Sequence, residues 1–255
     1  DWTRLTRIRQ LHHFQPAVYD GKVYAVNAFT GFFPNEEPVT NVQVWDPATD
    51  DVVDLVEIPE DRRRGAAGTV VYGDLIYTVG GIKDGHIQNT TTLFDVYDPV
   101  ADTWTIIDAE PSTPRDHGGA AVLDDKLYFA GGRVSDFRND VGYDDEVDTV
   151  DVYDFLAGTW SELASPLPTP RGGVAVVAYM GYIVVIGGES ELMTTAHDTT
   201  EAYDPSTGQW HELAPLNRGR HGTTALVYDG AIYICAGSGE VGGSPELSSL
   251  ERFVL

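Results

Sequence analysis

Arg115, Asp116 and His117 stand side by side ahead of a glycine pair, and related combinations recur along the chain. Arg64 precedes Gly65, Arg171 precedes two glycines, Arg220 adjoins His221, and His12 and His13 form a doublet. The planar fork of arginine bonds an anionic group bidentately and keeps its charge, while histidine titrates near neutral pH and serves as acid or base. These residue types point to recognition of an acidic peptide or acidic saccharide, or to acid–base chemistry on such a substrate. Other chemistries leave no trace: there is no Gly-x-Ser-x-Gly elbow, no phosphate-cradling loop and no zinc-ligand spacing. His12, His13, His117 and His221 match no recognised ligand spacing and have arginine neighbours that disfavour a bound cation, so no metal and no cofactor is expected.

The elements that position these residues must be β-strands. The chain has 255 residues, 42% of them hydrophobic, with 27 Gly, 14 Pro and 27 aromatic residues, a turn-rich and strand-friendly mixture. Forty acidic residues against sixteen basic ones, only three of them lysine, give a net charge of −24. Such a surface repels nucleic acid and anionic lipid, so neither nucleic acid nor membrane is expected as a partner. The Asp-rich, Lys-poor balance also suits a halophilic or saline setting, where repulsion is screened. Cys235, the single cysteine, lies in the apolar run "AIYICAG" and is expected to be an inert core thiol. No apolar run reaches the ~18 residues of a membrane span. The first residue is Asp rather than Met, which implies upstream residues and leaves the compartment open.

One order of features recurs five times: "LHHFQPAVYDGKVYAVNA" from Leu11, "RRGAAGTVVYGDLIYTVGG" from Arg63, "PRDHGGAAVLDDKLYFAGGR" from Pro114, "PRGGVAVVAYMGYIVVIGG" from Pro170 and "GRHGTTALVYDGAIYICAG" from Gly219. The slot filled by Tyr24, Tyr77, Tyr128, Val184 and Tyr233 advances in steps of 53, 51, 56 and 49 residues. Four copies continue with an aromatic-Asp pair, and Val52, Trp104, Trp160 and Trp210 follow six residues after the Asp. Each copy reads as a four-stranded antiparallel sheet, two strands before a long loop and two after it. A glycine pair after an aromatic-rich strand, then Tyr-Asp-Pro, then Trp, at a ~50-residue period, resembles the Kelch repeat of β-propellers. The resemblance covers essentially the whole chain and implies an all-β propeller forming one domain over residues 1–255. Blade repeats are expected at about 11–59, 60–111, 112–168, 169–216 and 217–255. The last copy lacks its Trp strand and the chain opens on "DWTRL", a Trp strand without a partner. Residues 1–6 are therefore expected to complete the fifth blade; the alternative is a segment of a longer array.

In such blades the loop leading into strand one and the loop joining strands two and three open on the same face. Eleven of thirteen arginines and six of seven histidines fall there, Arg7, Arg9 and Arg138 included. Arg64, Arg115, Arg171 and Arg220 share one position, thirteen residues before the aromatic slot, where copy one has Leu11. These four, with His13, His117 and His221, are the expected ligand-binding residues of an electropositive channel mouth. The bland alternative pairs the arginines with acidic neighbours such as Asp61, Asp116 and Glu60. The resemblance implies either contact with acidic partner peptides, as in Kelch adaptor domains, or a sugar-binding or catalytic face, as in Kelch-type enzymes. The copper and Tyr-Cys equipment of galactose-oxidase-like propellers is not apparent. The acid- and His-bearing loop "SELMTTAHDTTE", Ser190 to Glu201, does not match the iron-site spacing of plant Kelch specifier proteins. The longest insertion, Arg133 to Asp148, reads as a solvated acidic loop, or as a lid over the mouth. The leading expectation is a monomeric recognition module for an anionic ligand. The rivals are a carbohydrate-active lyase, epimerase or hydrolase using His117, His13 or His221, and a scaffold for protein–protein interaction.

Overall fold

The structure, a computed structural model, describes residues 11–136, 145–190 and 193–255. It is a five-bladed β-propeller. The first four blades are four-stranded antiparallel sheets, beginning with strands Ala17–Tyr19, Gly68–Tyr72, Gly119–Leu123 and Ala175–Tyr179. The fifth shows three strands among the described residues, Ala225–Tyr228, Ala231–Cys235 and Leu250–Phe253. Its expected fourth strand, residues 1–6, lies outside them.

Local chemistry explains the repeat. Strands one and two are joined by two-residue turns such as Asp20-Gly21, Asp124-Asp125 and Asp229-Gly230, with positive φ at both positions, the backbone whose twist matches a hairpin. In the outer hairpin, Asp46, Asp98, Asp154 and Asp204 each accept a bond from the backbone N–H two residues on, which is why the aromatic-Asp pair recurs. The aromatic before the Asp then sits opposite the Trp: Tyr97 against Trp104, Tyr153 against Trp160, Tyr203 against Trp210. The indoles of Trp160 and Trp210 donate to Ala109 and Ser165 carbonyls, tying each blade to the link before it. The core fills the spaces between sheets, as where Val152 and Val174 meet across blades three and four.

The innermost strands converge, and a Cβ at Gly119 would lie 2.6 Å from Val176 of the next blade. The glycine pairs lock neighbours together: Gly81, Gly132 and Gly188 donate to the carbonyls of Arg115, Arg171 and Arg220 at 2.8–2.9 Å. Gln15 reaches across to bond Ala120 and the Thr69 N–H, satisfying strand edges that face the channel. Cys235 departs from expectation. Ile232 and Ile234 pack toward blade four, and the period-two alternation of the strand leaves Cys235 on the other, exposed face.

Candidate functional site

The four aligned arginines are fully buried, with no exposed surface. Each reaches a carboxylate on the third strand of its own blade: Arg64 to Asp95 at 2.8 Å, Arg115 to Asp151, Arg171 to Glu201 and Arg220 to Glu251, both at 2.6 Å. Arg64 and Arg171 also donate to the carbonyls of Gly80 and Gly187 at 2.6 Å. Burial pulls Arg115 down to about 10 in spite of Asp151, and pushes the Asp151 carboxyl up in spite of Arg115. These arginines are internal struts. Their charges are neutralised within the blades, so they do not form the electropositive ring expected from their alignment.

The channel mouth itself is a cavity of about 530 Å³ to which all five blades contribute. A belt of backbone bonds shapes its rim. Ala66 N–H donates to the His13 carbonyl, His117 to Ala66, Gly173 to His117 and Gly222 to Gly173, at 2.6–3.0 Å. All five belt residues have φ between 53° and 64°. Three are therefore side-chain-bearing residues in a conformation that favours glycine, and two of those are histidines.

His13 and His117 meet there with His86, which the ribbon Ile82–Asp84 and Gln88–Thr90 of blade two delivers. The ring centroids are 4.7, 4.9 and 5.1 Å apart, and Nε2 of His86 lies 3.2 Å from Nε2 of His117. Carboxylates back the cluster. Asp116 accepts from His117 Nδ1, and Glu36, on the turn between strands Phe29–Thr30 and Glu37–Pro38, lies 3.0 Å from His86 Nδ1. A third carboxylate, Glu189, takes Arg133 at 2.6 Å. Burial, reinforced by His117, His86 and Arg133, holds His13 far below the usual histidine range. Burial and Arg133 bring His117 down to about 4 against the pull of Asp116. Burial opposes ionisation of Asp116, but His117 and Arg133 outweigh it and keep this carboxyl well below its ordinary range. The charged groups buried behind the mouth are the carboxylates of Glu36, Asp116 and Glu189 together with the Arg133 guanidinium, which pairs with Asp116 and Glu189.

The repeat geometry has its counterpart in known proteins. A sequence profile described as the KLHDC2/KLHL20/DRC7 Kelch-repeats domain matches residues 18–239. The chain belongs to the Kelch-repeat family. This Kelch chain is 34% identical over 250 residues to the Kelch-like protein terF of Aspergillus terreus, covering 95% of the chain and 53% of that protein. It is 32% identical over 189 residues to alpha-scruin of Limulus polyphemus, covering 71% of the chain and 19% of that protein. It is 25% identical over 262 residues to human Kelch-like protein 23, covering 85% and 44%. The chain thus spans about half the length of these curated relatives, or less. A solved structure titled "Structure of YjhT" shares the fold, with a TM-score of 0.79 at 16% identity, covering all of this chain and 85% of that one.

Of the residues expected at the Kelch mouth, His13, His117 and His221 line the cavity, and the four arginines lie behind it. His221 sits apart from the trio, with Nε2 2.9 and 2.7 Å from the carbonyls of Glu240 and Gly242. Arg7, Arg9, Arg138, Glu191 and the centre of the 133–148 insertion lie outside the described residues. The arginine partners were encoded but unread. Asp95, Asp151, Glu201 and Glu251 each stand two residues before the aromatic of the third strand, and the one copy with Leu11 in place of arginine has Gln43 there. Glu36 and His86 stand at different positions of the ribbons in the loops between strands two and three of blades one and two, so alignment of repeats gives them no shared signal. No metal was expected because His12, His13, His117 and His221 match no ligand spacing and have arginine neighbours; the fold instead brings His86 beside His13 and His117.

Proposed function

We propose that this Kelch propeller is a recognition module whose channel mouth takes a saccharide-sized ligand. The observation that carries the reading is the mouth cavity of about 530 Å³, within the range of small-molecule sites, to which every blade contributes. Its wall is mixed in the way such sites need: Phe14, Phe33, Ala67 and Val174 offer apolar surface, and His12, His13, His117, His221 and Thr224 offer hydrogen bonds. Phe33 is exposed at the rim, 5.1 Å from the His86 ring, positioned to cover one face of a bound ring. The internal pairing of Arg64, Arg115, Arg171 and Arg220 supports a neutral saccharide over the acidic peptide or acidic saccharide suggested by sequence.

Gly243 lines the cavity, and a Cβ there would meet nothing within 4 Å, so Gly243→Trp should narrow the mouth while leaving the blades undisturbed. Thermal-shift screening of neutral and acidic oligosaccharides should find a ligand that stabilises the wild type by about 2.7 kcal/mol at 100-fold excess over Kd. The same ligand should leave Gly243→Trp unmoved. A ligand that stabilises both proteins equally, or a clean failure of both panels, refutes the reading; a response confined to acidic sugars restores the anionic preference.

A further inference from the structure

The histidine cluster has features that saccharide recognition does not require. His12 Nε2 contacts the Gly31 carbonyl at 3.2 Å, so it carries the proton, and its bare Nδ1 accepts from His13 Nδ1 at 2.5 Å. Asp116 accepts the Nδ1 proton of His117, and Glu36 faces Nδ1 of His86. Nε2 of His13 and of His117 is thereby left as an unprotonated lone pair, while His86, whose Nδ1 makes no well-formed hydrogen bond, presents Nε2 either with or without a proton. Nε2 of His86 and Nε2 of His117 face each other across 3.2 Å. A proton on His86 Nε2 or a cation between the two nitrogens accommodates that contact.

A second observation concerns the carboxylate behind His86. Glu36 is buried, and neither of its carboxylate oxygens receives a well-formed hydrogen bond among the described residues, although Oε1 lies 3.0 Å from His86. A sealed, under-satisfied carboxylate behind an imidazole calls for a cation on the far side of that ring. Arg133, the neighbour that would oppose a cation, is committed to Glu189.

We propose that His13, His86 and His117 hold a divalent transition-metal ion of the zinc class on three imidazole nitrogens, with its fourth position open to the mouth cavity. Three neutral imidazoles are a borderline-soft donor set suited to zinc and unsuited to magnesium or calcium. At a Zn–N distance of about 2.05 Å, a tetrahedral ion separates its ligand nitrogens by about 3.3 Å. The His86–His117 pair is already at that spacing, and one nitrogen of each of the three rings lies within 4.8 Å of the others. Asp116 fixes the ring orientation and tautomer of His117 from behind, and Glu36 stands behind His86, the carboxylate–imidazole arrangement that raises the basicity of a ligating ring. Three protein ligands and an open fourth position are the pattern of a site that binds or activates a ligand rather than one that only braces the fold.

The site occupies the cavity of the recognition reading but does not depend on it, and its test uses metal alone. After dialysis against chelator, the chain should take up one zinc ion by calorimetry, raise its melting temperature with ZnCl2 but not MgCl2, and give the visible absorption of four-coordinate cobalt with CoCl2. His117→Gly and His86→Ala should weaken zinc binding at least about 100-fold, and Glu36→Gln about 10- to 100-fold. Glycine at 117 suits a backbone with φ 55° and stands in the same slot at Gly173 and Gly222, so this variant separates loss of metal from loss of fold. His211→Ala, on an exposed outer strand, should bind as the wild type does. No stoichiometric uptake, equal stabilisation by magnesium, or undiminished binding by His117→Gly would overturn the proposal.

Discussion

Where the backbone turns left-handed, the side chain it carries shows whether the position is tolerated or used. Met180 is exposed, has φ 51° and precedes Gly181 in a two-residue hairpin turn that favours Asn-Gly. Nothing in the structure uses its side chain, so Met180→Asn should raise stability by about 0.5–1 kcal/mol, read as a higher urea midpoint with an unchanged slope. His13 and His117 have the same backbone geometry at the mouth, but there the side chains meet one another and His86. The contrast separates a conformational liability from a site.

At the scale of the blade, the Arg–carboxylate strut joins the loop before strand one to strand three and is sealed from water. Removing one partner strands a charge in the interior, so Asp151→Ala should destabilise by about 3–5 kcal/mol, with aggregation on heating. Glu57→Ala breaks the exposed pair with Arg63 and should shift stability by no more than about 1 kcal/mol in a parallel urea titration. Gly187→Ala should also cost about 2 kcal/mol or more, because its new methyl would fall on the Arg220 carbonyl at φ 62°. The blade was legible in the sequence because its grammar is local: a turn Asp, a cross-strand Tyr and Trp, and a glycine pair all lie within one repeat. The strut partners lie 30–36 residues apart, and only the matching loss of Arg and acid in copy one, at Leu11 and Gln43, betrays them. The trio at the mouth spans three repeats, and His86 has no counterpart in the others, so neither motif spacing nor repeat alignment reaches it. Its assembly depends on blades one, two and three packing side by side, which no single repeat encodes.

Across the whole molecule, a net charge of −24 opposes compaction and is screened as the Debye length falls from about 30 Å at 0.01 M salt to about 3 Å at 1 M. The melting temperature should therefore climb with sodium chloride over that range; a flat profile would show that repulsion is not limiting. The expectation that residues 1–6 complete the fifth blade makes a further prediction. Strand Leu250–Phe253 pairs with only one neighbour among the described residues, so deleting residues 1–10 should lower the melting temperature and promote self-association, visible by light scattering, if those residues complete the blade. The backbone belt around the mouth has an architectural consequence. His13, Ala66, His117, Gly173 and Gly222 are the same repeat position rotated about the ring, and all five border one cavity. They form a row of equivalent positions along the mouth, linked by four backbone bonds, at which side chains are exchanged on a shared backbone geometry. A histidine moved from 117 to 173 or 222 would re-aim the site toward another blade, and one added at 66 would crowd a fourth imidazole beside the first three. Duplication of a blade could have varied ligand chemistry here one position at a time, with the scaffold unchanged.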